Sequence, residues 1–205
     1  MPRLTTAQMQ AHCDELVRLN KRFAPVVRSA PLCPIGRQSR KQTHIETLVD
    51  SIISQQITGK AAQTIYNRLL EAAGGSMNSR ALAKLTERQL YDCGLNTAKV
   101  RAIQGLAEAE LNGHIDLGRI AWQPDDVVVA QLTALYGIGR WTAEMFLIFQ
   151  LGRLDVWPTG DLAVRRGWDA LHKNTEPTSA KHLDSLGDAL RPIRSIAAWY
   201  CWRAS

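Results

Sequence analysis

A chain of 205 residues suits one domain, or two small ones that share a core. Its composition, 45% hydrophobic and 21% charged, is globular and excludes a disordered or fibrous chain. The 25 Lys and Arg against 19 Asp and Glu leave a formal charge of +6, which draws the chain to polyanions or anionic surfaces but decides nothing about fold. No stretch approaches the roughly 20 apolar residues of a spanning helix, and the N-terminus lacks the apolar run of a secretory signal. Cys13, Cys33, Cys93 and Cys201 stand far apart without a C-x-x-C pair, and the histidines have no metal-ligand spacing. Free thiols in a reducing cytoplasm are therefore expected, with neither a zinc site nor an iron–sulfur cluster.

Helix signals dominate from Thr43 onward. Thr43 and Glu46 form a capping-box pattern, and Ile45, Leu48, Val49, Ile52, Ile53 and Ile57 follow at helical spacing. A second stripe (Ala61, Ala62, Ile65, Tyr66, Leu69, Leu70) stops at Gly74-Gly75. Thr86 and Gln89 repeat the capping pattern ahead of a short segment ended by Gly94. Val100, Ile103, Leu106, Ala107 and Leu111 make another stripe, closed by Gly113. The β-branched run Val127-Val128-Val129 follows Pro124-Asp125-Asp126, a helix start rather than a strand. Trp141 to Gln150 and Leu162 to Leu171 read as helical, Thr178 as the start of a helix carrying Leu183, Leu186 and Leu190, and Pro192 as the first residue of the last one. The predicted class is all-α, with about nine or ten short helices and no linker or repeat.

The stretch richest in chemistry is Leu132 to Ala143. An apolar helix runs into Gly137-Ile138-Gly139 and at once into another helix. Two glycines permit a tight hairpin and a close backbone approach to another molecule, and the N–H groups opening the second helix suit a phosphate oxygen. Gly-x-Gly alone is weak, and on it a plain helical corner is as good a reading. A dinucleotide fold is excluded, because a preceding strand and a third glycine are missing. Asn96-Thr97-Ala98-Lys99 opens a helix after Gly94, so Thr97 and Lys99 make a second phosphate clamp or merely a solvated helix start. Asp161, just before Leu162, is by residue type alone a helix cap.

The segment Leu154 to Trp168, with its Asp-Val-Trp-Pro-Thr-Gly-Asp-Leu core, changes that balance. Together with the hairpin it resembles the helix–hairpin–helix, Gly/Pro-rich loop and Asp signature of the HhH-GPD DNA glycosylases, most closely the 3-methyladenine (alkylpurine) branch. Ile53 to Thr58 resembles that branch's DNA-wedge turn, and Arg191 to Tyr200 its C-terminal helix. The resemblance runs from residue 40 to about residue 203. It departs from the pattern at Tyr136, where the hairpin usually has Pro, and at Gly160, where a second Asp is common.

The resemblance implies a single glycosylase domain in two subdomains with a cleft between them, one from residues 1–43 and 158–205, the other from 44–157. Asp161 would be the catalytic carboxylate and Gln56 the wedge that fills the gap left by a flipped nucleotide, with Gln55 or Ile57 next in line. Gly137, Gly139, Arg140 and Thr142 would grip the DNA backbone. The hairpin of this family often holds a monovalent cation, Na+ or K+, here through the carbonyls of Thr133, Leu135 and Ile138; no other cofactor is implied. Trp141, Trp157, Trp199, Tyr200 and Trp202 are core by base rate, but aromatic faces also attract a cationic base, so Trp141, Trp157 and Trp199 are the pocket candidates, Trp141 first. Members that nick DNA carry a Lys where this chain has Trp141, so only base removal is implied. The expected enzyme is a monomer acting on alkylated duplex DNA, nucleoid-associated in a bacterium and nuclear in a eukaryote. The alternatives are a non-catalytic helix–hairpin–helix module and a same-fold glycosylase for hypoxanthine or uracil.

Overall fold

The computed structural model describes residues 3–37 and 42–205, and among them it holds twelve α-helices and no strand. No described helix is long and apolar enough to cross a membrane. Two helices come before the first predicted one. In α1 (Thr6–Leu19), Thr5 and Gln8 form a reciprocal capping box, and Met9, Cys13 and Leu16 are buried at helical spacing. The short α2 (Ala24–Ser29) has Pro in its first turn.

The helices expected next are present. They are α3 (His44–Ser54), α4 (Gly59–Ala72), α6 (Glu87–Asp92), α7 (Thr97–Leu111) and α8 (Asp125–Thr133), and a single turn that was not expected, α5 (Ser79–Leu82), lies between α4 and α6. Thr43 caps α3 through Glu46 N–H (3.3 Å) while Glu46 returns a bond to Thr43 N–H (2.7 Å). The helical run after the hairpin divides: α9 (Arg140–Met145) widens into a π-helical turn over Phe146–Gln150.

Three helices complete the chain: α10 (Leu162–His172), α11 (Ala180–Gly187) and α12 (Arg194–Ala204). Two starts differ from those expected. Ser179, not Thr178, caps α11, because Thr178 is turned toward the Asp169 carboxylate and gives it its N–H at 3.1 Å. Pro192 is not the first residue of α12. It sits two residues ahead in a cis peptide, and Ile193 precedes the helix.

The chain divides into two compact units, residues 1–39 with 147–205, and residues 40–146. The first crossing, at 39/40 where 43/44 was expected, falls within 38–41, outside the described residues. The second lies at 146/147 rather than 157/158, because 147–157 is bonded into the first unit. There Ser195 N–H donates to Leu154 O (2.8 Å), Val156 N–H to Ser195 Oγ (2.9 Å), and Arg194 pairs with Asp155 (2.6 Å). That unit's core is the contact of α10 and α12. A Cβ on Gly167 would lie 1.9 Å from Cys201 O, so only a glycine lets the two backbones touch. The four cysteines are buried and free.

Candidate active site

In the 40–146 unit the hairpin is tight. After α8, Leu135 N–H donates to Leu132 O (3.1 Å) and Ile138 N–H to Leu135 O (3.2 Å). Gly137 turns the chain at φ +81°, and a Cβ there would stand 2.7 Å from the Ala102 Cβ on α7. Gly139 opens α9 on an exposed surface, where a Cβ would meet nothing within 4 Å. Arg140 is exposed and pairs along its helix with Glu144 (2.9 Å), whereas Thr142 is buried, which removes its side chain from the backbone-gripping set. Tyr136 lies under the Arg101 guanidinium, 4.0 Å from its ring centroid. Of the three carbonyls expected to hold a cation, that of Leu135 accepts the Ile138 N–H and has a second lone pair.

The wedge turn follows α3. Gln56 is exposed at φ +58°, a conformation a non-glycine residue adopts only at a cost, and Ile57 beside it is 38% exposed. Gln55 is turned back and donates from Nε2 to Gly137 O (3.0 Å), which ties this turn to the hairpin. Nothing in the sequence signals that bond.

The second clamp is overturned. Thr97 is exposed at the start of α7, but Lys99 is only 8% exposed and its Nζ donates to Ile53 O (2.7 Å) and Gln55 O (3.0 Å). Burial lowers its pKa from the ordinary lysine value. An amine so committed is not a phosphate ligand. Asn96 in turn takes one of the helix-opening donors, Lys99 N–H, at 2.9 Å.

Asp161 belongs to the other unit and is 9% exposed. It caps α10: Oδ1 accepts Ala163 N–H (2.8 Å) and Val164 N–H (3.1 Å), and its own N–H closes the Pro158 loop (3.0 Å). The cap reading and the catalytic one are therefore compatible, since two fixed donors aim the carboxylate. A Cβ on Gly160 would meet nothing within 4 Å, so space does not explain the missing second Asp.

The tryptophans separate by burial. Trp157 (6% exposed) gives its indole N–H to Leu183 O (2.9 Å) and fills the notch at Gly187, where a Cβ would come within 2.4 Å of its ring. Trp199 (4%) lies edge-on to Tyr200 and under Arg203. Both are core residues, as is Tyr200, and Trp202 rests against Phe149. Trp141, on α9, is the pocket candidate that stays exposed, at 53%.

The described residues are all helical and carry a glycine hairpin, an exposed polar turn and a capped Asp, as expected of a base-excision type of protein. The profile of the HhH-GPD superfamily base excision DNA repair protein matches residues 49–192, and the chain belongs to that family. It is 31% identical to DNA-3-methyladenine glycosylase 1 of Schizosaccharomyces pombe, over 83% of this chain and 76% of that one. The crystal structure of a DNA-3-methyladenine glycosidase from Bacillus halodurans superposes with a TM-score of 0.85 at 32% identity, covering 94% of this chain and 88% of the other. The S. pombe 3-methyladenine DNA glycosylase bound to abasic DNA superposes at 0.75 with 29% identity, covering 95% of each.

Proposed function

We propose that this chain removes alkylated purines, 3-methyladenine and 7-methylguanine, from duplex DNA by hydrolysis of the glycosidic bond. The observation that carries the reading is the Asp161 carboxylate, aimed by two N–H groups directly after the Trp-Pro-Thr-Gly loop. The names of the S. pombe and B. halodurans relatives support the choice of lesion.

An alkylated purine carries positive charge and leaves without a general acid. What remains to be stabilised is the oxocarbenium-like sugar, and what must be deprotonated is the attacking water. One fixed carboxylate does both. The base must first leave the stack, at a cost of a few kcal/mol that Gln56 offsets by filling the gap. Gly137, Gly139 and Arg140 hold the backbone, and the aromatic ring of Trp141, an exposed residue, attracts the cationic base. A monovalent cation on the carbonyls of Thr133, Leu135 and Ile138 would add positive charge beside a phosphate; the excision itself needs no cofactor. The enzyme acts as a monomer on DNA. Incubation with methylated duplex should release free 3-methyladenine or 7-methylguanine. Release of hypoxanthine or uracil alone would reassign the lesion, and binding without release of any base would leave a recognition module.

We further propose that the product is an intact strand with an abasic site. The lysine that forms a Schiff base in strand-nicking members is replaced by Trp141, whose indole nitrogen has no lone pair to give. Lys99 is held on two carbonyls inside the fold. Borohydride added during turnover should trap no covalent complex above background; robust trapping, or strand breaks without alkali, would show that another amine attacks the sugar.

A further inference from the structure

The wedge turn and the hairpin are carried by one turn of α7. Lys99 holds the last carbonyls of α3 from inside, Arg101 lies over the Tyr136 ring, and Ala102 takes the close approach of Gly137. Gln55 closes the circuit with its bond to Gly137 O. A lysine near a helix C-terminus commonly stabilises it, but from the surface with its ammonium in water. Here the ammonium is taken out of water to reach the Ile53 and Gln55 carbonyls, immediately before a residue in the left-handed conformation.

We propose that Lys99 is a positioning residue for the wedge: its buried ammonium holds the end of α3 so that Gln56 stays protruding, in register with the hairpin. The proposal rests on Gln56 being the wedge and names what holds it there. Without the two charge-assisted bonds, the carbonyls of Ile53 and Gln55 lose their partner and the turn relaxes, so Gln56 no longer enters the gap on time. The surface that grips the backbone stays as it was.

The test compares Lys99→Met, Gln56→Ala and the double variant. The readouts are single-turnover base release, affinity for undamaged duplex, and the fluorescence of a 2-aminopurine placed opposite a tetrahydrofuran abasic site. Lys99→Met should slow release about tenfold or more, the equivalent of the charge-assisted bonds lost. Affinity for undamaged duplex should stay within about threefold, since no phosphate contact is removed. The fluorescence change that reports insertion should be lost in both single variants. The double variant should release base no more slowly than Gln56→Ala alone, because one residue acts through the other.

Losses that multiply in the double variant would overturn the proposal, as would Lys99→Met melting at lower temperature yet releasing base at the parental rate. If Lys99→Met does not fold, Lys99→Gln replaces it, removing the charge and shortening the side chain at the same two carbonyls, and parental release and fluorescence there overturn the proposal too. Parental behaviour of Gln56→Ala would overturn the wedge assignment and the role of Lys99 with it. An impaired Gln56→Ala beside a parental Lys99→Met would overturn the positioning role alone.

Discussion

Asp161→Asn should abolish base release while leaving the protein folded and bound to DNA. The substitution keeps the shape of the side chain, and an Asn oxygen accepts the N–H groups of Ala163 and Val164 as the carboxylate does. Asn and Asp are equally good N-caps, so α10 is retained. What disappears is the charge that stabilises the sugar cation and the base that takes a proton from water, a loss of at least about 100-fold in rate. Thermal unfolding and affinity for undamaged duplex serve as controls and should stay near the parental values. A rate of release unchanged from the parent would remove Asp161 from the chemistry and leave it a helix cap.

The second large effect concerns stability. Gly167→Ala should lower the melting temperature by on the order of 10 °C, because the added Cβ would stand 1.9 Å from Cys201 O, and that atom belongs to a backbone that cannot swing aside. The two helices must separate, at a cost of about 3 kcal/mol, the upper part of the range for overpacked cores. Asp161 stands at the N-terminus of the same helix, so any shift of α10 also moves the carboxylate. Gly139→Ala is the contrast: a Cβ there meets nothing within 4 Å, and its melting temperature should stay near the parental one. If Gly167→Ala melts within about 2 °C of the parent, the close crossing of α10 and α12 is wrong.

Part of this molecule is legible in one dimension. The capping boxes at Thr43 and Thr86 and the stripe from Ile45 to Ile53 are local: a side chain and a backbone N–H three residues on, or apolar groups one turn apart, meet wherever the helix packs. The hairpin and the capped Asp161 are legible for the same reason, since Gly137 and the bonds to Ala163 and Val164 involve close chain neighbours. The box at Thr5 and Gln8, ahead of Met9, Cys13 and Leu16 at helical spacing, is equally local and opens α1.

What only the tertiary structure decided are the pairings between residues far apart in the chain. Lys99 has the spacing of a surface clamp, and its true partners are carbonyls 44 and 46 residues away. Trp141, Trp157 and Trp199 are chemically alike, yet Leu183 and the notch at Gly187 fix Trp157 in the core, Tyr200 and Arg203 enclose Trp199, and Trp141 stays half exposed. The passage from one unit to the other at 146/147 depends on Ser195 and Arg194 reaching back to Leu154, Val156 and Asp155. By itself the sequence determined the helices, the hairpin and the carboxylate, because short-range geometry follows from residue type and spacing. Packing decided which cation faces inward and which aromatic faces out, because burial depends on what lies opposite, and no local pattern records that.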